Sequence, residues 1–391
     1  MLFEAERHER LRESAWDETR ARETIARIVA EAERVFDPDP LWPVHPLDDR
    51  PSASLYFGAA GVIWAIDHLA EQGAVQRARE WAALVEPIRA RNAALLEAIP
   101  TVRSAFLVGD AGMALVGHRL TRGAVWIERM AAAARANLAH ASNELFVGTP
   151  GTLLAASALC EETGDPSLRE GVEASAARVL EELRFEPEFG CKLWTQEFGG
   201  LTKLLGLVHG FAGNACALIH AGHERAIELE LERTLDATAL LEPELANWPQ
   251  SVGPPRPGRT APLVQICHGA PGVIVALARL APLPGSRLEA LLWMGGELTW
   301  RAGPLAKGSG LCHGTAGNGY AFLSLYRRTA ERLWLERARA FAMHAIEQWE
   351  AERALHGRGR FSLWTGDPGL ACFLWDCVRE RDGFPTLHVF F

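Results

Sequence analysis

Three short segments gather the residues best able to bind a metal or move a proton: LVHGFAG (207–213), QICHGAPG (265–272) and GLCHGTAG (310–317). Each sets a His, or a Cys-His pair, directly before the first glycine of a G-x-x-G. Two thiolates and one imidazole are the protein ligands of a catalytic zinc, which keeps its fourth tetrahedral position open. Cys267 can come from one segment and the adjacent Cys312 and His313 from the next, provided the backbone between that pair turns, a freedom Gly314 would supply. His268 occupies the position equivalent to His313 and is its geometric rival. If all four residues bound the ion, the site would be closed and structural.

The segments belong to a repeat. G-x-x-G occurs seven times, at Gly58/Gly61, Gly109/Gly112, Gly148/Gly151, Gly210/Gly213, Gly269/Gly272, Gly314/Gly317 and Gly366/Gly369. Spacings near fifty residues suit helix pairs with loops of varying length. After each second glycine runs an apolar stretch of about three helical turns, as in GAAGVIWAIDHLAEQG and GDPGLACFLWDCVRERDG. Between these lie longer amphipathic stretches such as 165–183, where Asp165 and Pro166 stand at N-cap and N1 positions, and 329–350. The pattern predicts an all-α protein: an α/α toroid of seven helical hairpins, with short apolar helices inside and amphipathic helices outside. An open solenoid would share the pattern, but inner helices so uniformly apolar would line a solvated concave face poorly. Equivalent loops of a closed ring face one central mouth, so Cys267, His268, Cys312, His313 and His209 should converge there. Strand signals are sparse. Residues 1–48 read as an extension, a charged helix over about 2–35 and then the Pro-rich linker DPDPLWPVHPLDDRP, with the toroid spanning 49–391.

Composition narrows the partners. The 391 residues are 48% hydrophobic, ample for a buried core, and the net charge of −9 without a Lys/Arg block excludes a nucleic-acid footprint. The first twenty residues are too charged for a secretory signal, Leu2 excludes N-myristoylation, and no apolar run approaches the length of a membrane span. A soluble, cytoplasmic chain is expected, with peripheral membrane contact left open. Seven scattered cysteines, an odd number, read as reduced thiols.

The stretches NELFVGTPG (143–151), GLVHGFAGNACAL (206–218), NWP (247–249), LVQICHGAPGVI (263–274), KGSGLCHGTAGNGYAF (307–322) and SLWTGDPGLACFL (362–374) resemble the LanC family of lanthionine cyclases. They are more similar still to its eukaryotic-type LanC-like branch, and the likeness runs from about residue 50 to the C-terminus. The resemblance implies one zinc held by Cys267, Cys312 and His313. It also implies activation of a thiol for addition to dehydroalanine or dehydrobutyrine, the thiol being a peptide cysteine in the cyclases and glutathione in the LanC-like branch. Cyclases typically carry Asp where this chain has Glu144 and Arg where it has Leu263, and both departures point to the LanC-like branch. Lys307 matches a lysine resembling a glutathione-site residue there, and Ile266 replaces the usual Trp before the first zinc cysteine.

A free thiol is only a few per cent ionised at neutral pH, whereas zinc deprotonates it outright. Attack on the β-carbon of a dehydroamino acid builds an enolate that needs a cationic partner and then a proton at Cα. His209 is the expected acid and Glu144 a candidate carboxylate partner for it. Lys307 is expected to bind a glutathione carboxylate or the enolate, and Arg256 and Arg259 to add positive potential. The expected function is zinc-dependent transfer of glutathione to dehydroamino-acid residues in proteins or peptides. Its rivals are lanthipeptide cyclisation and a non-catalytic zinc scaffold.

Overall fold

The structure, a computed structural model, describes residues 1–197, 200–253 and 261–391. Among these residues fourteen α-helices follow one another: α1 (Glu18–Val35), α2 (Ala59–Glu71), α3 (Val85–Leu95), α4 (Asp110–Thr121), α5 (Ala124–Asn137), α6 (Thr149–Thr163), α7 (Pro166–Glu181), α8 (Phe211–His220), α9 (Glu224–Thr238), α10 (Ala270–Ala276), α11 (Arg287–Ala302), α12 (Thr315–Thr329), α13 (Arg332–His356) and α14 (Asp367–Arg379). The even-numbered helices touch in cyclic order, and α14 meets α2, so the inner ring is closed. Each of α3, α5, α7, α9, α11 and α13 packs on the inner helix before it, and α1 packs on α14. The fold is an α/α toroid, as the repeat implied.

Burial separates the two rings. Every residue from Ala59 to Leu69 in α2, and from Thr315 to Leu325 in α12, is buried. A helix surrounded on all sides needs no polar face. In α9 the buried residues are Ile227, Leu231, Thr234, Leu235 and Thr238, a single stripe facing inward. Asp165 caps α7 by accepting from the Ser167 N–H at 2.9 Å, with Pro166 in the first turn, as expected.

The second glycine of each pair is required by space. A Cβ at Gly61, Gly112, Gly151, Gly213, Gly272, Gly317 or Gly369 would lie 1.8–2.3 Å from the carbonyl oxygen six residues upstream. The same Cβ would press on an apolar side chain of the preceding repeat: Leu55 against Gly112, Phe106 against Gly151, Leu145 against Gly213, Leu207 against Gly272, Ile266 against Gly317 and Leu311 against Gly369. Leu363 of the last repeat meets Gly61 of the first, completing the cycle. Ile266 therefore fills its repeat's inter-hairpin packing position. Main-chain bonds cross the same seam, from the Cys312 N–H to Trp364 O (2.8 Å), the Trp364 N–H to Tyr56 O (3.3 Å) and the Tyr56 N–H to Leu107 O (2.9 Å).

The N-terminal stretch differs from its expectation. Helix α1 begins only at Glu18, where Asp17 accepts from the Arg20 N–H. Residues before it are committed elsewhere: the Glu9 N–H bonds Pro304 O, and Arg7 O accepts from the Ala306 N–H. Asn247 Nδ2 also reaches Leu2 O at 2.8 Å. A backbone that serves these long-range bonds is not available for helical ones. Among the described residues strand is confined to three two-stranded antiparallel hairpins, β1 (Arg184–Glu186) with β2 (Cys191–Leu193), β3 (Gln196–Glu197) with β4 (Leu201–Thr202), and β5 (Leu240–Glu242) with β6 (Leu245–Asn247). No helix among the described residues is long and apolar enough to cross a membrane.

Candidate functional site

Inner helices begin at their paired glycines, so the residues just before those glycines line one end of the ring. In the fifth and sixth repeats these are Cys267-His268 and Cys312-His313. One ligand atom each from Cys267, Cys312 and His313 lies within 4.8 Å of the others, and Cys312 Sγ is 3.6 Å from His313 Nε2. Gln265 Nε2 donates to Cys267 Sγ at 2.8 Å, which orients that sulfur.

Backbone geometry separates the rival histidines. Residues 265 and 268 bond each other's main chains at 3.1 Å in both directions, leaving Gly269 at φ +106°, a conformation natural only to glycine. The sixth-repeat loop instead gives its Cys312 N–H to Trp364 O, and Gly314 is extended (φ −129°). The turn freedom expected of Gly314 is thus used at Gly269. Gly314 is needed for room, because a Cβ there would lie 2.4 Å from the Gly310 main chain. The three-residue donor set includes His313 and not His268. His268 stands beside the set, close enough for its charge to favour the Cys267 thiolate, with its ring 6.1 Å from that of His209.

Electrostatics at the two sulfurs fit a cation. Burial pushes the Cys267 thiol up, but hydrogen bonding from Cys312 and the charges of His268 and His313 outweigh it and hold Cys267 well below the usual range. Burial and the neighbouring Cys267 sulfur hold Cys312 well above it. Two adjacent buried thiols cannot both ionise unaided, and a dication is what lets them. The donor set therefore suits zinc.

Glu144 and His209 are joined. Glu144 is fully buried, its Oε2 accepting from His209 Nδ1 (2.8 Å) and the Phe146 N–H (2.9 Å), its Oε1 from the Val147 N–H (2.7 Å). A carboxylate held at both oxygens fixes the imidazole it pairs with. The Phe146 ring lies 5.4 Å from His209 and 5.0 Å from Tyr56, which stacks on Trp364 at 5.2 Å. These rings form an aromatic wall beside the sulfurs.

Tyr56 is a neighbour of the candidate donor set that the sequence reasoning passed over. Burial, followed by the charge of the Cys312 sulfur it faces, keeps its phenol well above the usual range, so it stays protonated and can donate toward that sulfur. The signal was in the repeat register: Tyr56 stands two residues before its first glycine, as Cys267 and Cys312 do. Lys307 is exposed, and its charge reaches Cys312. Arg256 and Arg259 lie outside the described residues. Asn247, part of the NWP motif, is structural: its Oδ1 accepts from the Ala270 N–H at the start of α10.

A closed seven-hairpin toroid with two thiols and an imidazole gathered at its mouth defines the class. The family model described as "Lanthionine synthetase C-like protein" matches residues 54–387, and the chain belongs to that family. A Danio rerio protein, "Glutathione S-transferase LANCL1", is 35% identical over 207 residues, covering 50% of this chain and 47% of that one. The Arabidopsis thaliana "LanC-like protein GCL1" is 36% identical over 199 residues, 48% of this chain and 44% of its own. The chain thus spans about half the length of the curated relatives it matches. Among solved structures, "Nisin cyclase" superposes with a TM-score of 0.58 at 14% identity, covering 93% of this chain and all of its own, a likeness of fold.

Proposed function

We propose that this protein adds a thiol, glutathione in the first instance, to dehydroalanine or dehydrobutyrine residues of proteins or peptides. The observation that carries this reading is the joint presence, on neighbouring loops, of the Cys267/Cys312/His313 donor set and of His209 paired with the buried Glu144. The name of the Danio rerio relative supports the choice of glutathione.

Cys267, Cys312 and His313 would hold zinc, which when bound supplies deprotonation of an incoming thiol at neutral pH. In the addition, sulfur bonds to Cβ, the Cβ=Cα electron pair moves onto the carbonyl as an enolate, and a proton is delivered to Cα. The proton lost by the thiol balances the one gained, and nothing leaves. His209, oriented through Nδ1 by Glu144, uses Nε2 to give that proton. Tyr56 donates toward Cys312, lowering the electron density on that sulfur and keeping it in place. Lys307 supplies positive charge at the rim for a carboxylate of glutathione or for the enolate. The aromatic wall excludes water from the reacting atoms.

The test is direct. Purified protein is incubated with a dehydrobutyrine-containing peptide and glutathione, and the product is weighed. Gain of one glutathione supports the proposal. Thioether ring formation in a Cys-bearing peptide, with no mass change and no glutathione uptake, would show a cyclase instead. Absence of both reactions would leave a zinc scaffold.

A further inference from the structure

The opposite end of the ring holds a second cluster that the proposed chemistry does not use. Residues 380–391, after α14, run across this end. Phe390 O accepts from Trp64 Nε1 of α2 (2.9 Å) and Arg119 Nη1 of α4 (3.3 Å), and His388 O accepts from Arg279 just beyond α10. The tail seals the ring by contacts with helices on several sides.

Within that seal, Cys216 and His220, one turn apart at the C-terminal end of α8, meet His388 of the tail. One ligand atom from each lies within 4.8 Å of the others. The two imidazoles stack with 6.0 Å between centroids and 11° between planes. Cys216 is fully buried and His388 is 4% exposed. Neither ring nitrogen of His388, nor Nε2 of His220, has a hydrogen-bond partner. Buried polar atoms are nearly always satisfied, and with His388 Nδ1 turned to Asp382 the two orphaned Nε2 atoms of His220 and His388 beside one thiol call for an occupant.

We propose that Cys216, His220 and His388 bind a second transition-metal ion, of the borderline-soft zinc class, which fastens the C-terminal tail to α8. The donor chemistry selects the ion: one thiolate and two imidazoles suit zinc and disfavour calcium or magnesium, which take oxygen ligands. Asp382 stands behind the site, its Oδ1 3.6 Å from His388 Nδ1 and neither oxygen otherwise bonded. A carboxylate in that position sets the orientation of a metal-bound histidine and leaves Nε2 for the metal. Charge also balances. The Cys216 thiolate and Asp382 offset a dication, while Arg279 has Glu161 3.9 Å away. The C-terminal end of α8 adds negative potential. Burial pushes the Cys216 thiol up to about 12 in the absence of an ion, so binding displaces one proton from it.

The experiment is a zinc titration of the metal-free full chain against a chromogenic chelator, with cobalt(II) as an optical probe. Wild type should take two equivalents. The double variant Cys267→Ala/Cys312→Ala should keep one, and its cobalt complex should show the weak charge-transfer absorption of a single thiolate. Cys216→Ser and His388→Asn should each keep one equivalent, at the mouth. Should either tail-site variant fail to fold, judged by far-UV circular dichroism, the cobalt spectrum of the double variant decides alone. One equivalent in wild type that the folded double variant loses, or no cobalt bound by that variant, overturns the proposal, whereas one equivalent in wild type that the double variant retains upholds it and counts against the mouth.

Discussion

Glu144 Oε2 and His209 Nδ1 lie 2.8 Å apart, a carboxylate from the third repeat holding an imidazole from the fourth. Because Glu144 is fully buried and bonded at both oxygens, its geometry is imposed by the loop and does not depend on substrate. His209→Asn is expected to lower kcat for glutathione addition by about 10²–10⁴-fold, the usual contribution of a general acid. Glu144→Gln should lower it less, through a misplaced imidazole. Zinc content measured on both variants should match wild type, and a parallel loss of metal would remove His209 from the proton-transfer role.

Metal removal should separate the mouth from the rest of the molecule. Cys312→Ala is expected to lose one equivalent of zinc together with all detectable addition, since a site reduced to one thiolate and one imidazole binds weakly. Full turnover in that variant would contradict the mechanism. Tyr56→Phe, by contrast, should keep the zinc and lose roughly tenfold in kcat/KM, about 1.4 kcal/mol, close to the lower end of about 1.5–3 kcal/mol for a hydrogen bond to a charged group. Elemental analysis alongside product mass measures both.

The glycine ladder makes opposite forecasts at two positions. A Cβ at Gly61 would sit 2.1 Å from Leu55 O and 2.7 Å from Leu363 Cβ, so Gly61→Ala should destabilise by about 3 kcal/mol through overpacking at the seam. Gly171, inside α7, has nothing within 4 Å of the same added atom. Gly171→Ala should therefore stabilise by about 0.5–1 kcal/mol, from the backbone entropy removed from the unfolded chain. Urea denaturation of both variants is the measurement.

Asp367 gives a pH signature. It is buried at the start of α14, accepting from Trp349 Nε1 at 3.0 Å and the Arg360 N–H at 3.2 Å, and burial raises its carboxyl to about 7. An acid whose folded pKa exceeds its unfolded value of about 4 stabilises the fold fully below that value and loses the contribution as pH rises through 7. The slope is about 1.4 kcal/mol per pH unit across that window. Asp367→Asn keeps an acceptor for both donors without the charge. The stability difference between wild type and variant should shift by a few kcal/mol in favour of Asn between pH 4 and 7.5, and a pH-independent difference would show that the carboxyl is not held neutral.

Much of this was legible in the residues. The seven glycine pairs, the apolar inner runs and the Asp165-Pro166 start are local consequences of backbone and side-chain chemistry, and they specify the hairpins. The repeat register also pointed to the thiols and His209 as neighbours at one mouth, and Tyr56 shares that register, two residues before its glycine. Other features arise only from contacts between residues remote in the chain. Closure depends on Leu363 reaching Gly61, which no single repeat encodes. The choice of His313 depends on how two homologous loops bond their backbones, one to itself and the other to Trp364. The first seventeen residues keep only a 3-10 turn at Ala5–Arg7, and Arg7 and Glu9 spend main-chain bonds on 304–306, which lie far along the chain. Cys216, His220 and His388 read singly as unremarkable core and surface residues, and only the folding of the tail across the ring brings them together. Sequence periodicity reports which face of an element is buried, while what that face meets is decided by the whole ring.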